Sequence, residues 1–497
     1  MATILLSTIN ARYVHAALGL RYLAANMREF ADETRVVEFV SGARPADMVE
    51  TLLSNQPRIV GFGVYIWNVE ETTRVVAMLK RVAPDVVVVV GGPEVSHEVG
   101  EQRICMLADH VITGWGDISF AALCRSVLRG ESRADKVIRG VQPALKDIAL
   151  PYARYTEEDI ARRFLYVEAS RGCPYKCEFC LSALDRTAWA FDLDAFLDEL
   201  AALYDRGARH FRFVDRTFNL KASAGVRILE FFLARLDERL FLHFEVIPDH
   251  LPEKLKEAIA RFPAGSLQFE VGIQTWNPQV QALISRRQDN ERAEANLVWL
   301  RERSSALVHV DLIAGLPGED MESFRCGFDR LYALRPHEIQ VGILKRLRGT
   351  AIARHTESFG MRYNPDPPYN VLATDRIPFP DMQRLARFAR YWEMVGNSGR
   401  FRSALSLLVG EPGTGSAFSS FMRFSDWLYR RTGKTHEIAL DRLAALIHEF
   451  LTTEASVAPE LASARLQHDY EASGAKGRLA FVKRPFTASR AEAARRR

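Results

Sequence analysis

Short runs of β-branched and aromatic residues alternate with amphipathic helical stretches from Thr3 to Leu344, and this alternation constrains the fold more than any other feature. Such a pattern builds parallel sheets covered by helices. In a first set the spacing predicts strands at Thr3–Thr8, Arg35–Phe39, Ile59–Tyr65 and Val86–Val90. In a second it predicts six, at Phe164–Ser170, Phe211–Val214, Leu242–Ile247, Leu267–Ile273, Leu307–Ala314 and Glu338–Leu344. Residues 131–160 between the sets read as a charged link punctuated by Pro143 and Pro151. The expected architecture is α/β: a doubly wound, Rossmann-like parallel sheet over residues 1–140 and a partial (β/α)6 TIM-type barrel over 155–350. A mainly helical C-terminal domain is expected over 360–470, followed by a disordered Arg-rich tail over 471–497.

Ligands of a parallel sheet bind beyond the carboxyl ends of its strands. In the first set those loops read Asn10–Gly19, Gly63–Asn68, Gly91-Gly92-Pro93-Glu94 and Gly114-Trp115-Gly116-Asp117. Glycine there lets a backbone approach a large ligand or take positive φ, although plain turn chemistry explains any single pair equally well.

With 48% hydrophobic residues and a net charge of +4, from 66 basic and 62 acidic side chains, most of the chain is excluded from disorder. The near-neutral balance and the lack of a basic appended domain give no support to a nucleic-acid substrate. The longest apolar run falls far short of the ~20 residues that span a membrane, and the N-terminal run lacks a basic flank. A cytoplasmic protein without a membrane partner is therefore expected.

Six cysteines are too few for a disulfide scaffold in a chain of 497 residues. Three crowd into Cys173-Pro-Tyr-Lys-Cys177-Glu-Phe-Cys180, directly after the first strand of the second set, while Cys105, Cys124 and Cys326 stand in apolar-periodic stretches and read as buried. Structural zinc wants a fourth nearby ligand, which this loop lacks, and remains the alternative. Three thiolates suit a [4Fe–4S] cluster with one iron left open. An amine and a carboxylate can chelate that iron, as the amino-acid end of S-adenosylmethionine (SAM) does, and an electron from the cluster can then split a C–S bond.

The Cys-x3-Cys-x2-Cys spacing, with Phe179 before the last cysteine, resembles the signature of the radical SAM superfamily. The resemblance is closest to the branch with the methylthiotransferases and the oxygen-independent coproporphyrinogen oxidase. It implies that Cys173, Cys177 and Cys180 hold the cluster, that Phe179 lies at the SAM site, and that Asp215 takes the methionine amine. Glu245 matches the branch's third-strand acid; Gln274 and Asp311 would hold the ribose hydroxyls and Arg286 the methionine carboxylate. Arginine suits a carboxylate through two parallel bonds, although each of these residues taken singly also reads as a surface ion pair or a cap. An electron donor such as flavodoxin or ferredoxin is implied as partner.

A doubly wound domain ahead of such a barrel resembles the cobalamin (vitamin B12)-binding branch, in the subgroup with an uncharacterised helical C-terminal domain. The resemblance implies cobalamin contacts at His15, Gly19, Tyr65, Trp67, Gly91, Gly92, Glu94, Gly114 and Gly116. The Asp-x-His-x-x-Gly signature of an axial histidine is absent, so His15 reads equally as a solvated or capping residue, and Tyr65 and Trp67 either cover the corrin's lower face or belong to the core. Lys345, after the last barrel strand, is the candidate for meeting an anionic small-molecule substrate, with the C-terminal helices closing over the barrel mouth. The implied activity is cobalamin-dependent methyl transfer to an unactivated carbon or phosphorus centre of a small molecule. The alternatives are an adenosyl-radical rearrangement or cyclisation, transfer of another SAM fragment, or a cobalamin or redox sensor.

Overall fold

The computed structural model describes residues 2–131, 135–185, 188–411, 413–477 and 479–482. Six parallel strands make the first sheet: β1 (Ile4–Asn10), β2 (Thr34–Val40), β3 (Ile59–Gly63), β4 (Val87–Gly91), β5 (His110–Thr113) and β6 (Val137–Arg139), in the order β2-β1-β3-β4-β5-β6. Every residue of β1 is buried, as a strand covered by helices on both faces requires. The order reverses between β1 and β3, the switch point where such sheets open a crevice. β6 lies inside the stretch expected to be a link; three residues of weak alternation left no strand signal there.

The second sheet begins at β7 (Leu165–Val167), followed by a small hairpin of β8 (Ser170–Arg171) and β9 (Trp189–Ala190). It continues through β10 (His210–Phe213), β11 (Phe241–Val246), β12 (Leu267–Gln274), β13 (Leu307–Ala314) and β14 (Glu338–Ile343), all parallel, in the order β14-β13-β12-β11-β10-β7. Burial alternates strictly along β12 and β13, because one face packs on helices and the other faces the lumen. β7 and β14 are not paired, so this is a partial barrel with two edges. Unpaired edges invite wrong pairing, and each is covered here. Val14 O accepts from Phe164 N beside β7 at 2.8 Å, and the Asn397 side chain exchanges two 3.0 Å hydrogen bonds with the backbone of Ile339 on β14.

Beyond a short antiparallel pair, β15 (Arg362–Tyr363) and β16 (Val371–Ala373), the chain is helical: Phe379–Trp392, Arg402–Val409, Ala417–Thr432, Leu440–Thr453 and Pro459–Ala472. These helices do not build a separate core. Phe388 packs edge-on against Phe328 of the barrel helix Met321–Ala333, ring centres 5.1 Å apart, and one continuous hydrophobic core runs through both regions. They buttress the β14 side rather than the barrel mouth, since none of their residues lines either cavity described below. The tail expected to be disordered is packed at its start: Leu479 is buried and Phe481 stacks on His448. Residues 483–497 of that tail lie outside the described residues.

Candidate active site and cofactor cavities

After β7 the chain turns through Gly172, at φ +83°, into the cysteine loop. All three cysteines are free thiols, with Cys173 buried and Cys177 and Cys180 half-buried, and all three line one cleft at the carboxyl ends of the barrel strands. Phe179, Glu245, Gln274, Arg286 and Asp311 line the same cleft, so strands far apart in sequence bring these expected residues together. Arg286 Nη1 lies 3.7 Å from Cys177 Sγ, and Nη2 donates to Gly272 O. Burial pushes the Cys173 and Cys177 thiols up, and Arg286 opposes the shift at Cys177.

Gln274 adopts φ +68° at a bulge where β12 meets β13, a left-handed conformation that an ordinary side chain takes only at some cost. Its amide folds back over Gly272, where a Cβ would collide with it. Gln274 Oε1 and Asp311 Oδ1 are buried without a hydrogen-bond partner in this cleft. Buried acceptors are normally satisfied, so these two fit a ligand rich in hydroxyl donors.

Asp215 is not part of this cleft. Its carboxylate accepts from Ala169 N at 2.9 Å and Ser170 Oγ at 2.6 Å, fastening the start of the cysteine loop, and burial lifts it to about 7. Its neighbour Arg216 enters the cleft instead and pairs with Glu245. Lys345 is exposed, bridges to Asn370 and lines neither cavity. Cys105 and Cys124 are buried as expected, whereas Cys326 is exposed beside Arg325.

A second cavity opens in the crevice of the first sheet. Gly19, Tyr65, Gly91, Gly92, Gly114 and Gly116 line it with Leu20, Phe62, Val90, Ile112 and Phe120, making an apolar slot with glycine walls. A Cβ on Gly61 would meet the Phe120 ring at 2.8 Å, and one on Gly92, at φ +113°, would meet Val64 O at 2.6 Å. These two positions need glycine for space, and Gly92 for its backbone as well.

Three residues expected at this slot stand elsewhere. His15 faces the barrel, its Nδ1 hydrogen-bonded to the Tyr166 hydroxyl at 2.6 Å, and burial lowers its pKa. Trp67 stacks outside Tyr65 at 4.4 Å, half exposed, with Nε1 donating to Ile9 O. Glu94 is buried between Arg348 Nε at 3.0 Å and the Tyr369 hydroxyl at 2.8 Å, tying the sheet to the chain beyond β14.

Two residues unmarked by the sequence reading join the parts. Arg171, two positions before Cys173, lines the slot: Nη1 is 3.0 Å from both Asp117 oxygens, Nε donates to Glu168 at 2.6 Å, and the guanidinium lies 4.2 Å over the Tyr22 ring. Glu178, inside the cysteine run, is buried and accepts from Ser285 Oγ at 2.6 Å and Arg354 Nε at 2.8 Å, with His355 Nε2 at 2.9 Å. An acid between two cluster-type cysteines was the available signal for Glu178. Nothing local marked Arg171.

Residues 4–124 match the model of the B12 binding domain, residues 167–325 that of the radical SAM superfamily, and residues 357–493 a family described as protein of unknown function, DUF4080. The chain thus carries a B12 binding domain followed by a radical SAM domain. The radical SAM domain implies a [4Fe–4S] cluster and SAM, and the B12 domain implies cobalamin. The chain is 27% identical to an uncharacterized methyltransferase of Pyrococcus horikoshii over 42% of its length and 51% of that one. It is 26% identical to the cobalamin-dependent radical SAM methyltransferase TokK of Streptomyces tokunonensis over 58% of this chain and 47% of that one. The matches thus span about half the length of these curated relatives. Its fold superposes on the radical SAM methyltransferase TsrM of Kitasatospora setae, solved with cobalamin and a [4Fe–4S] cluster, with a TM-score of 0.61 at 18% identity, covering 87% of this chain and 99% of that one. Among the described residues no helix is long and apolar enough to cross a membrane.

Proposed function

We propose that the protein is a cobalamin-dependent methyltransferase acting on an unactivated carbon or phosphorus centre of a small molecule. The observation that carries this reading is the pair of cavities joined by Arg171: a thiol-lined cleft and an apolar glycine-walled slot, with a side chain of the cysteine loop forming part of the slot's wall. Cys173, Cys177 and Cys180 would hold the cluster, Arg286 the methionine carboxylate, and Gln274 and Asp311 the ribose. The slot would take the nucleotide tail of cobalamin, with no protein histidine on the cobalt, because His15 is engaged by Tyr166. Bound together, these groups supply a reductively generated adenosyl radical and a transferable methyl group.

The chain's own contribution is orientation and exclusion of water. Arg286 is fixed by Gly272 O and Gln288 Oε1, so its guanidinium is preorganised for a carboxylate. The apolar walls of the slot exclude water from a flat aromatic ligand. A reductant is required, and we assign a small electron-transfer protein in the cytoplasm to that role.

The test is metal and cofactor content of protein purified without oxygen from a cobalamin-fed host. About four irons and one cobalt per chain are expected, and a gain of about one methyl mass on the product identifies the reaction. Cys177→Ala is expected to abolish SAM cleavage and most bound iron. Iron without cobalt overturns the methyl-transfer reading.

A further inference from the structure

Parallel barrels ordinarily fill their interior with branched apolar side chains. This one does not. At a single level of cross-strand register, Glu245 of β11, Glu270 of β12, His309 of β13 and Glu338 of β14 stand side by side. Like charges opposite each other on neighbouring strands destabilise a sheet, so this row needs cations within it. Arg216 pairs with Glu245, and His243 Nε2 lies 3.3 Å from Glu270 Oε2. His309 serves the remainder: Nδ1 is 2.8 Å from Glu338 Oε2, and Nε2 is 3.2 Å from Asp311 Oδ1, the buried oxygen with no hydrogen-bond partner. That last pair is close enough for charge attraction and off hydrogen-bond alignment, which leaves the oxygen free to accept from a ligand.

We infer that His309 is a positioning residue for SAM: its imidazolium, held by Glu338 on the side away from the cleft, keeps the Asp311 carboxylate ionised and available to the ribose hydroxyls. The inference rests on the proposed function, from which it takes the ribose as the partner of Asp311. Groups facing His309 come from each adjoining strand: Asp311 on its own strand, Glu338 on one side and Glu270 on the other, with His243, Glu245 and Arg216 beyond. Burial disfavours charge on the imidazole, yet Asp311 and Glu338 raise it to about 10. Burial likewise drives Asp311 upward, Glu270 and Glu245 add to the rise, and His309 opposes it. With the cation gone, Asp311 therefore takes up a proton at higher pH and loses one of its acceptor sites.

The experiment is calorimetric titration of the full-length, cluster-loaded protein with S-adenosylhomocysteine, a non-cleavable probe, from pH ~6 to ~9. The wild type is expected to bind with an affinity that is flat above about pH 7. His309→Gln is expected to bind about tenfold more weakly near neutrality, the loss that follows when Asp311 is protonated in about nine molecules of ten there, and to recover as pH rises. A purely structural role would not give a loss that pH reverses. His309→Lys keeps a cation in the row and is expected to stay within about threefold of wild type; it decides the matter should the glutamine variant not fold, and a tenfold loss in it overturns the inference. A glutamine variant with wild-type affinity and a flat profile overturns the inference while leaving the proposed function standing. A wild type that does not bind the probe overturns the reading of the cleft itself.

Discussion

Arg171 Nη1 lies 3.0 Å from both carboxylate oxygens of Asp117, so a side chain two residues before the first cysteine of the barrel is fixed in the wall of the sheet's glycine slot. The slot and the cysteine loop therefore cannot shift independently. Charge, hydrogen bonding and the face of Tyr22 act on one guanidinium, and such a planar fork has no substitute in lysine.

Replacing Arg171 by methionine leaves Asp117 and Glu168 facing each other without their cation. Removing one partner from a buried ion network typically costs about 3–5 kcal/mol. Arg171→Met is expected to lower the melting temperature and to weaken cobalamin retention and iron retention together, whereas Arg171→Lys recovers stability only in part. Loss of iron with cobalamin retention unchanged would contradict the coupling.

Gly61 tests the slot without touching the cysteine loop. Alanine there brings a methyl group to 2.8 Å from the Phe120 ring, which must move within the slot it lines. Overpacking of this kind costs about 1–3 kcal/mol. Gly61→Ala is expected to reduce cobalamin binding by at least about tenfold, read by visible spectrum after gel filtration, with iron content unchanged.

Glu178 joins the cysteine loop to Ser285, next to Arg286, and to Arg354 and His355 beyond the last barrel strand. Alanine removes the acceptor and leaves the buried His355 side chain unpaired, a loss that typically costs about 1–3 kcal/mol, while the exposed Arg354 turns to water. Glu178→Ala is expected to keep its secondary structure by circular dichroism and to lose iron faster than the wild type on chelator challenge. Glutamine retains one acceptor oxygen and should fall between the two.

Glu319 gives a pH dependence with a definite sign. Burial raises its carboxyl to about 8, against hydrogen bonds from Thr275 and Ser323, and Oε2 has no partner. A folded pKa above the unfolded value means the folded state holds the proton more tightly. The associated stability is fully present below the unfolded carboxylate range and falls away as pH rises through about 8. Glu319→Gln mimics the protonated form, so its melting temperature is expected to exceed that of the wild type at pH ~9 and to match it at pH ~4. Equal melting temperatures at both would sink this account.

Much of the site was legible because its chemistry is local. Cys173, Cys177 and Cys180 share one loop, and the strand alternation placed Gln274 and Asp311 toward one end of the barrel. Asp215 shows where that reasoning fails. It sits one position from Arg216 in the turn after β10, and that turn sends its carboxylate back to Ala169 and Ser170 while Arg216 enters the cleft. His15 and Glu94 fail for another reason: both lie in ligand-side loops of the first sheet, yet their partners Tyr166 and Arg348 belong to the barrel half of the chain.

The sequence alone determined the two parallel sheets, the three-cysteine loop and the ligand edge of each domain, because strand periodicity and short-range spacing are properties of adjacent residues. Only the tertiary structure decided which side chains meet across the domains. The Arg171–Asp117 pair, the Glu178 anchor and the His309 row bring together residues on separate elements, and neither their separation along the chain nor their type carries a local signature. Burial then sets their chemistry, since the same carboxylate is an exposed ion on one face of a strand and a tightly held acceptor on the other.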